Sequence, residues 1–474
     1  MMQRILPAAI AAALFLSGCG SLLTPTYERP DAPMPQTWPT QGAYAGAARE
    51  AQTEAIDTGW RNFILDERLR KLVEVALANN RDLRISALNI EKARAAYGIS
   101  RADMFPSVSA AGSATHAKGA RDVVGDSANR ISHNYAATLG FSSYELDFFG
   151  KIQNQVSASR EAWLQLVETR DAAQISLISQ VVSSYLTLAA DQERLKIAKD
   201  TRDSLQDTLR LTLKRHEVRV DSQLDVSSAQ ASLEAARADI ATYTTTVAQD
   251  ENALALLLGA PLPEDLKPPL GLFDNAQILQ EAPTGLSSGI LLRRPDLRAD
   301  EHALKAANAD IGAARAAFFP SITLTANVGT ASTELGRLFN AGNGTWTFAP
   351  QINLPIFTAG RLQSTLDQAK ISRDIQVATY EKDIQTAFSE VADALAQRGT
   401  VEEALQAQQA QADAYQKSYQ LAQLRYKNGI DSYLSMLVYQ RSLYSAQLSL
   451  VSTKLTQQTN LITLYKVLGG GVRE

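Results

Sequence analysis

The sequence predicts an α+β protein made of two copies of one unit, each copy supplying a pair of β-strands and a pair of very long α-helices. Three observations carry this. Distant segments repeat at a near-constant offset. Four segments alternate apolar and polar residues at the two-residue period of a strand. Residues 151–258 and 361–428 together hold one glycine, Gly399, and no proline.

The first 18 residues, MMQRILPAAIAAALFLSG, place Arg4 before an apolar run that ends in small residues. That is the pattern of a secretory signal. Leu16-Ser17-Gly18-Cys19 resembles the bacterial lipobox, where cleavage exposes the cysteine and lipid is attached to it. A plain signal with a chance cysteine is the alternative. Cys19 is the only cysteine in 474 residues, which excludes a disulfide framework or a cysteine metal site. Residue 20 is glycine rather than the aspartate typical of inner-membrane lipoproteins, so the outer membrane of a Gram-negative cell is the expected address. Residues 19–63 then read as a lipid-anchored N-terminal segment. A net charge of −4 argues against nucleic-acid binding. Past the signal no run of 18 apolar residues offers a transmembrane helix.

The repeat organises the rest. RDLRISALNIEKARAAYGISRADMFPS (81–107) aligns with PDLRADEHALKAANADIGAARAAFFPS (295–321), 214 residues later. RHEVRVDSQL (215–224) aligns with RYKNGIDSYL (425–434) at an offset of 210. Repeat 1 covers 64–259, a proline-rich linker 260–294, repeat 2 295–468, and a tail 469–474. Two copies are too few for a solenoid, so they build one composite object.

Within repeat 1 a strand pair is expected over about 105–146, and within repeat 2 over about 321–354. In 322–329, Ile322, Leu324, Ala326 and Val328 alternate with Thr323, Thr325, Asn327 and Gly329. In 345–354, Trp346, Phe348, Ile352 and Leu354 alternate with Thr345, Thr347, Gln351 and Asn353. Tyr135, Ala137, Leu139 and Phe141 alternate with Asn134, Thr138, Gly140 and Ser142; residues 107–115 are the weakest case. Segments of about ten residues with one polar face suit a transmembrane barrel; a half-buried strand of a soluble sheet is the alternative. Aromatics at the strand ends (Phe105, Phe148, Phe149, Phe319, Phe357) favour the membrane. Four strands cannot close a barrel, and open edges are not tolerated in hydrocarbon. Spanning strands therefore require several chains to share one barrel, and three chains would give twelve strands.

Long helices are expected over about 151–216, 224–258, 361–427 and 432–468. The first and third would run about 100 Å at 1.5 Å per residue. Val226, Ala229, Leu233, Ala236, Ile240, Tyr243, Val247, Leu254 and Leu257 form a coiled-coil seam, interrupted at Asp250. The last helix carries two stripes, one from Leu434 to Leu455 and one from Met436 to Leu450, as suits a helix in a tube wall. An ordinary long bundle is the alternative.

RRPDLRADEH (293–302), AANADIGAARAAFFPSITLTANVGT (306–330), INLPIFTAGR (352–361), IQTAFSEVADALA (384–396) and RYKNGIDSYLSML (425–437) resemble the TolC-like outer membrane factors, most closely the OprM-type lipoprotein branch. The resemblance runs from about Trp60 to Gly471. It implies a homotrimer with one twelve-strand outer-membrane barrel above a coiled-coil periplasmic tunnel of twelve helices. It further implies the exit duct of a tripartite efflux pump, whose energy comes from an inner-membrane transporter, often of the resistance-nodulation-division class. A periplasmic adaptor would meet the tunnel tip, and outer-membrane lipid the barrel.

By that resemblance the tip turns are adaptor contacts: Arg219, Val220, Asp221 and Ser222 in repeat 1, Asn428, Gly429, Ile430, Asp431 and Ser432 in repeat 2. Gly429 suits a left-handed helix end. Its counterpart is Arg219, where the family usually has glycine, so the first turn is strained or the alignment is one residue off. The family's LDAQR segment reads LVYQR here, from Leu437 to Arg441. The expected gate is therefore more apolar, built from Leu434 and Val438 with Arg441 behind, while Asp225 keeps the family's acid in the first copy. A solvated helix face is the alternative for Asp225 and Arg441.

Enzyme chemistry finds little support. GLSSG (285–289) fits a nucleophile elbow, but lies in the proline-containing linker. His116, His133, His216 and His302 are scattered without metal-ligand spacing, no cofactor is expected, and no Gly-x-x-x-x-Gly-Lys loop is present. Two other functions stay open: a duct for type I protein secretion, and a non-spanning periplasmic coiled-coil adaptor lipoprotein.

Overall fold

The proline-free spans become the longest helices. A computed structural model describes residues 23–47, 55–120, 131–275, 277–281 and 287–471. Its main elements are α1 (Glu67–Asn79), α2 (Arg81–Ala102), β1 (Ser109–Lys118), β2 (Ile131–Leu146), α3 (Lys151–Glu217), α4 (Gln223–Leu258), α5 (Pro295–Ala316), β3 (Ser321–Ser332), β4 (Gly344–Asn353), α6 (Arg361–Lys427) and α7 (Tyr433–Val467). Helices α3 and α6 are each 67 residues long. One stretch of α3 is apolar enough to cross a membrane by composition, but it is mostly buried in protein. Asp66 caps α1 by accepting the Leu69 N–H at 2.8 Å. Proline opens α5, where its missing N–H has no partner to lose.

Every member of the Val226–Leu257 seam on α4 is buried or half-buried. The α7 stripes are less complete. Met436, Leu437, Leu443, Ala446, Leu450 and Val451 are buried, but Leu434 and Tyr439 face outward in the single chain.

The four strands form one antiparallel sheet in the order β1-β2-β3-β4. Leu139 pairs with Val328, and Val328 with Trp346, so the apolar residues gather on one face and the polar ones on the other. That apolar face is open: Trp346 is 78% exposed. Among the described residues β1 and β4 each have a single strand neighbour. A bulge between Phe141 and Tyr144 puts Ser143 at φ 55° and lets its N–H donate to Thr325 Oγ1 at 3.1 Å. Gly140 and Gly329 lie on the polar face. A Cβ at either would come within 2.2 Å of a carbonyl oxygen on the neighbouring strand. At these two positions the neighbouring backbones approach too closely for any side chain, the usual reason for glycine inside a strand.

Packing divides the chain across the repeats rather than between them. One unit holds Met1–Asp31, Asn89–Val167 and Ala299–Tyr380, the other Ala32–Leu88, Glu168–Arg298 and Glu381–Glu474. In the first, Phe149 and Phe319 stack at the strand roots, centroids 4.8 Å apart. The N-terminal segment is pinned there: Arg315 donates to Leu23 O at 3.0 Å and Asn308 to Pro25 O at 2.7 Å. Cys19 lies outside the described residues.

In the second unit, Trp60, Leu69, Leu72, Val181 and Tyr185 are fully buried, and the Phe63 and Tyr465 rings stack at 3.9 Å. The expected linker is partly drawn into this core. Leu266, Leu272, Ile278 and Leu279 are buried, and Leu279 bridges to Ile64. Apolar residues spaced among the prolines give it something to bury. Gly399, the lone glycine of α6, sits where the N-terminal segment crosses: a Cβ there would lie 2.0 Å from Ala43 O.

Candidate functional site

The two helical turns, α3 to α4 and α6 to α7, use the same backbone device. Each long helix ends in a Schellman motif. Arg219 N–H donates to His216 O at 2.9 Å and Val220 N–H to Arg215 O at 2.8 Å; Gly429 N–H donates to Tyr426 O at 3.0 Å and Ile430 N–H to Arg425 O at 2.9 Å. Gly429 has φ 72° and Arg219 φ 59°. The alignment therefore holds, and Arg219 occupies a left-handed position that disfavours a side chain with a Cβ. Next come the N-caps. Ser222 and Asp225 form a capping box: Asp225 Oδ2 accepts the Ser222 N–H at 2.9 Å, and Ser222 Oγ accepts the Asp225 N–H at 3.1 Å. Ser432 caps α7 alone, accepting from Ser435 N–H at 3.4 Å.

Beyond the backbone the turns differ. In the first, Arg215 Nε meets Asp221 Oδ2 at 2.9 Å, and the pair is largely buried. Tyr426 reaches across from the end of α6. Its hydroxyl donates to Asp221 Oδ2 at 2.6 Å, its backbone carbonyl accepts from Arg215 Nη1 at 3.1 Å, and its ring lies under the guanidinium at 4.7 Å. Burial, and then the bond to Asp221, push the Tyr426 hydroxyl well above its ordinary pKa. In the second turn Arg425 holds Asp431 at 2.6 Å in the open. That hydrogen bond keeps the Asp431 carboxyl below the usual range.

Beneath the turns Tyr419, Ala422, Tyr426, Tyr433, Met436 and Leu437 form one apolar cluster. Leu434 (64% exposed), Val438 (54%) and Arg441 project from the opposite side of α7, spaced four and three residues apart on one helical face. Arg441 touches Ser232 Oγ at 3.4 Å. Asp225 is committed to its capping box, and Asp221 to Arg215 and Tyr426. Val220 and Ile430, equivalent across the repeat, stand out as exposed apolar knobs.

Sequence reasoning missed Tyr426 and Arg215. The signal was the second letter of RHEVRVDSQL against RYKNGIDSYL: His216 hydrogen-bonds its own turn at Asp221 O, 2.9 Å away, whereas Tyr426 crosses to the other repeat. Farther along the wall, Asp250, the break in the α4 seam, faces Asp191, which pairs with Arg194 at 2.5 Å. Burial pushes the Asp250 carboxyl up to about 7.

The GLSSG serine, Ser287, caps a 3-10 turn and donates to Gln36 O at 3.2 Å; residues 282–286 lie outside the described residues. Among the described residues no three His, Cys, Asp or Glu side chains gather as a metal site. The histidines are nevertheless not all scattered, because the sheet register brings His116 beside His133.

Comparison with known proteins is consistent across sequence and structure. The profile of the family described as "Outer membrane efflux protein" matches residues 72–260 and 286–470. The toluene efflux pump outer membrane protein TtgC of Pseudomonas putida is 48% identical over 99% of this chain and 96% of its own. The cation efflux system protein CusC of Escherichia coli is 40% identical over 99% of both chains. The crystal structure of the open state of the Neisseria gonorrhoeae MtrE outer membrane channel superposes with a TM-score of 0.84 or better, namely 0.86, at 39% identity over 95% of this chain and 98% of that one.

Proposed function

The chain belongs to the outer membrane efflux protein family, and from that premise we propose that three copies assemble into the exit duct of a tripartite efflux pump. The observation that carries this is the sheet, with four strands, two unpaired edges and an exposed apolar face. In hydrocarbon such edges leave backbone groups without partners. Pairing β4 of one copy with β1 of the next removes them, and three copies close a twelve-strand barrel with the polar face as its lumen.

Threefold symmetry turns one residue into a ring. Leu434 and Val438 then form an apolar constriction that closes by dewetting, with Arg441 behind and Asp225 holding the neighbouring helix start. Opening requires the helix ends to part, which breaks the Tyr426–Asp221–Arg215 contacts. A periplasmic adaptor takes the tip residues 219–222 and 428–432, with Val220 and Ile430 as the apolar anchors. An inner-membrane transporter of the resistance-nodulation-division class supplies the energy. The named relatives serve toluene and cation efflux, chemistries too different for one lumen to select. Cargo, here small toxic compounds, is therefore chosen upstream.

Cys19 carries the lipid in this scheme. It lies four positions before Leu23, whose carbonyl Arg315 holds near the strand roots. Four extended residues span at most about 14 Å, so the acyl chains enter the leaflet beside the barrel and supplement it. The test is native mass spectrometry and bilayer conductance of the detergent-purified chain and its Cys19→Ser variant. Both are expected to weigh three chains, conduct ions and stay in the membrane fraction. A water-soluble, non-conducting single chain overturns the proposal.

A further inference from the structure

We propose that His116 and His133 form a cross-strand chelating site for a divalent transition-metal ion of the zinc or copper type, on the apolar face of the sheet at its free end. The two residues are direct register partners on β1 and β2. They lie two pairs from the last one, Lys118 with Ile131, next to the 119–130 connection. Their rings meet edge to face, 4.7 Å between centroids, and the two Nδ1 atoms converge to 2.5 Å. Tyr135 stands edge-on to His116 at 5.5 Å, and both histidines are exposed in the single chain.

That arrangement is most of a metal site. Two nitrogens held by opposite strands need no loop to bring them together. Imidazole nitrogen selects zinc, copper or nickel, whereas calcium and magnesium prefer oxygen. Metal–nitrogen bonds of about 2.0–2.1 Å at a tetrahedral angle need the nitrogens roughly 3.3 Å apart. The exposed rings reach that separation by opening less than about 1 Å, with water filling the remaining positions. Without metal, one Nδ1 carries the proton it donates to the other. On binding, that proton moves through solvent to Nε2 of the same ring, and both Nδ1 lone pairs face the ion. From that neutral pair no net proton is released. A bound ion would clamp β1 to β2 at the mouth of the sheet.

The test uses the full, tag-free chain in detergent. Calorimetric titration with zinc chloride at pH 7.5 is expected to give one ion per chain, with no heat from magnesium chloride. His116→Gln or His133→Gln is expected to weaken binding at least tenfold, and the double variant to abolish it. Should a variant fail to assemble, the spin-resonance spectrum of wild-type protein with copper(II) decides, since two coordinated imidazole nitrogens are required. No zinc binding by the wild type, a copper spectrum without two nitrogens, or equal affinity in the double variant overturns the proposal.

Discussion

The two tip turns share a backbone and differ in what holds them. Both end a 67-residue helix with the same hydrogen bonds and both pair an arginine with an aspartate six residues later. Only the first is buried and cross-linked, because Tyr426 leaves its own turn and binds Asp221, whereas its counterpart His216 stays home. Duplication copied the turn, and one aromatic residue made the copies unequal. In the proposed duct the first tip is therefore the latch and the second the contact surface offered to the adaptor.

The largest effect should separate Asp221→Ala from Asp431→Ala. The first leaves Arg215 mostly buried without its counter-ion and strips the Tyr426 hydroxyl of its acceptor. Breaking a buried pair of this kind costs about 3 kcal/mol. Amide protection around 213–224 should collapse and bilayer conductance should rise. The second breaks a solvent-exposed pair, and exposed pairs contribute little, so protection and conductance should hardly change. Equal responses from the two variants would erase the distinction between latch and contact.

Val438→Asp sharpens the same contrast at the gate. On α4, just past the first turn, Asp225 is held by Ser222; the α7 face of Leu434, Val438 and Arg441 has no carboxylate. Placing one there should hydrate the constriction, raise conductance several-fold and shift selectivity toward cations. Reversal potentials in a potassium chloride gradient measure the shift. An unchanged reversal potential would mean that Val438 does not line the passage.

Much of this was legible in the sequence. Helix ends followed from proline-free spans and from Gly429, and the sheet faces from strict alternation. The repeat alignment left either a strained Arg219 or a one-residue misalignment, and its φ of 59° decides for the first: the turn demands a left-handed residue whatever its side chain. What stayed hidden were meetings between distant segments. Gly399 was visible as an oddity, yet only the crossing at Ala43 explains it. His116 and His133 looked unrelated because 17 residues separate them, and only the strand register joins them. Leu434 and Tyr439 read as seam positions but face outward, since periodicity identifies a stripe without saying which part has a partner in the same chain.

A third contrast lies deeper in the wall. Asp250 and Asp191 in repeat 1 correspond, at the same offset of 210, to Asn460 and Val401 in repeat 2. The second copy places a neutral amide there, Asn460 Nδ2 donating to Ala394 O at 2.9 Å. The first keeps a carboxyl raised from 3.8 to about 7. A raised carboxyl binds its proton more tightly folded than unfolded, so its stabilising effect is complete below about pH 4 and is lost as pH rises through about 7. Asp250 is only half-buried, and screening limits the effect to about 1–2 kcal/mol. Asp250→Asn should therefore raise the thermal midpoint at pH 8 and leave it unchanged at pH 4. A gain of equal size at both values would trace the effect to packing instead of charge.

The smallest effect tests the turns directly. Arg219 holds a conformation that costs a non-glycine residue about 1 kcal/mol, and Gly429 avoids that cost. Arg219→Gly should slow exchange of the first turn's amides by several-fold, and Gly429→Ala should speed exchange in the second by a similar factor. If the latch formed by Tyr426 is what keeps Arg219 left-handed, the gain from Arg219→Gly should grow in an Asp221→Ala background, where nothing else enforces the turn. Additive effects would mean that the Schellman hydrogen bonds alone set the backbone, and that the latch acts only between helices.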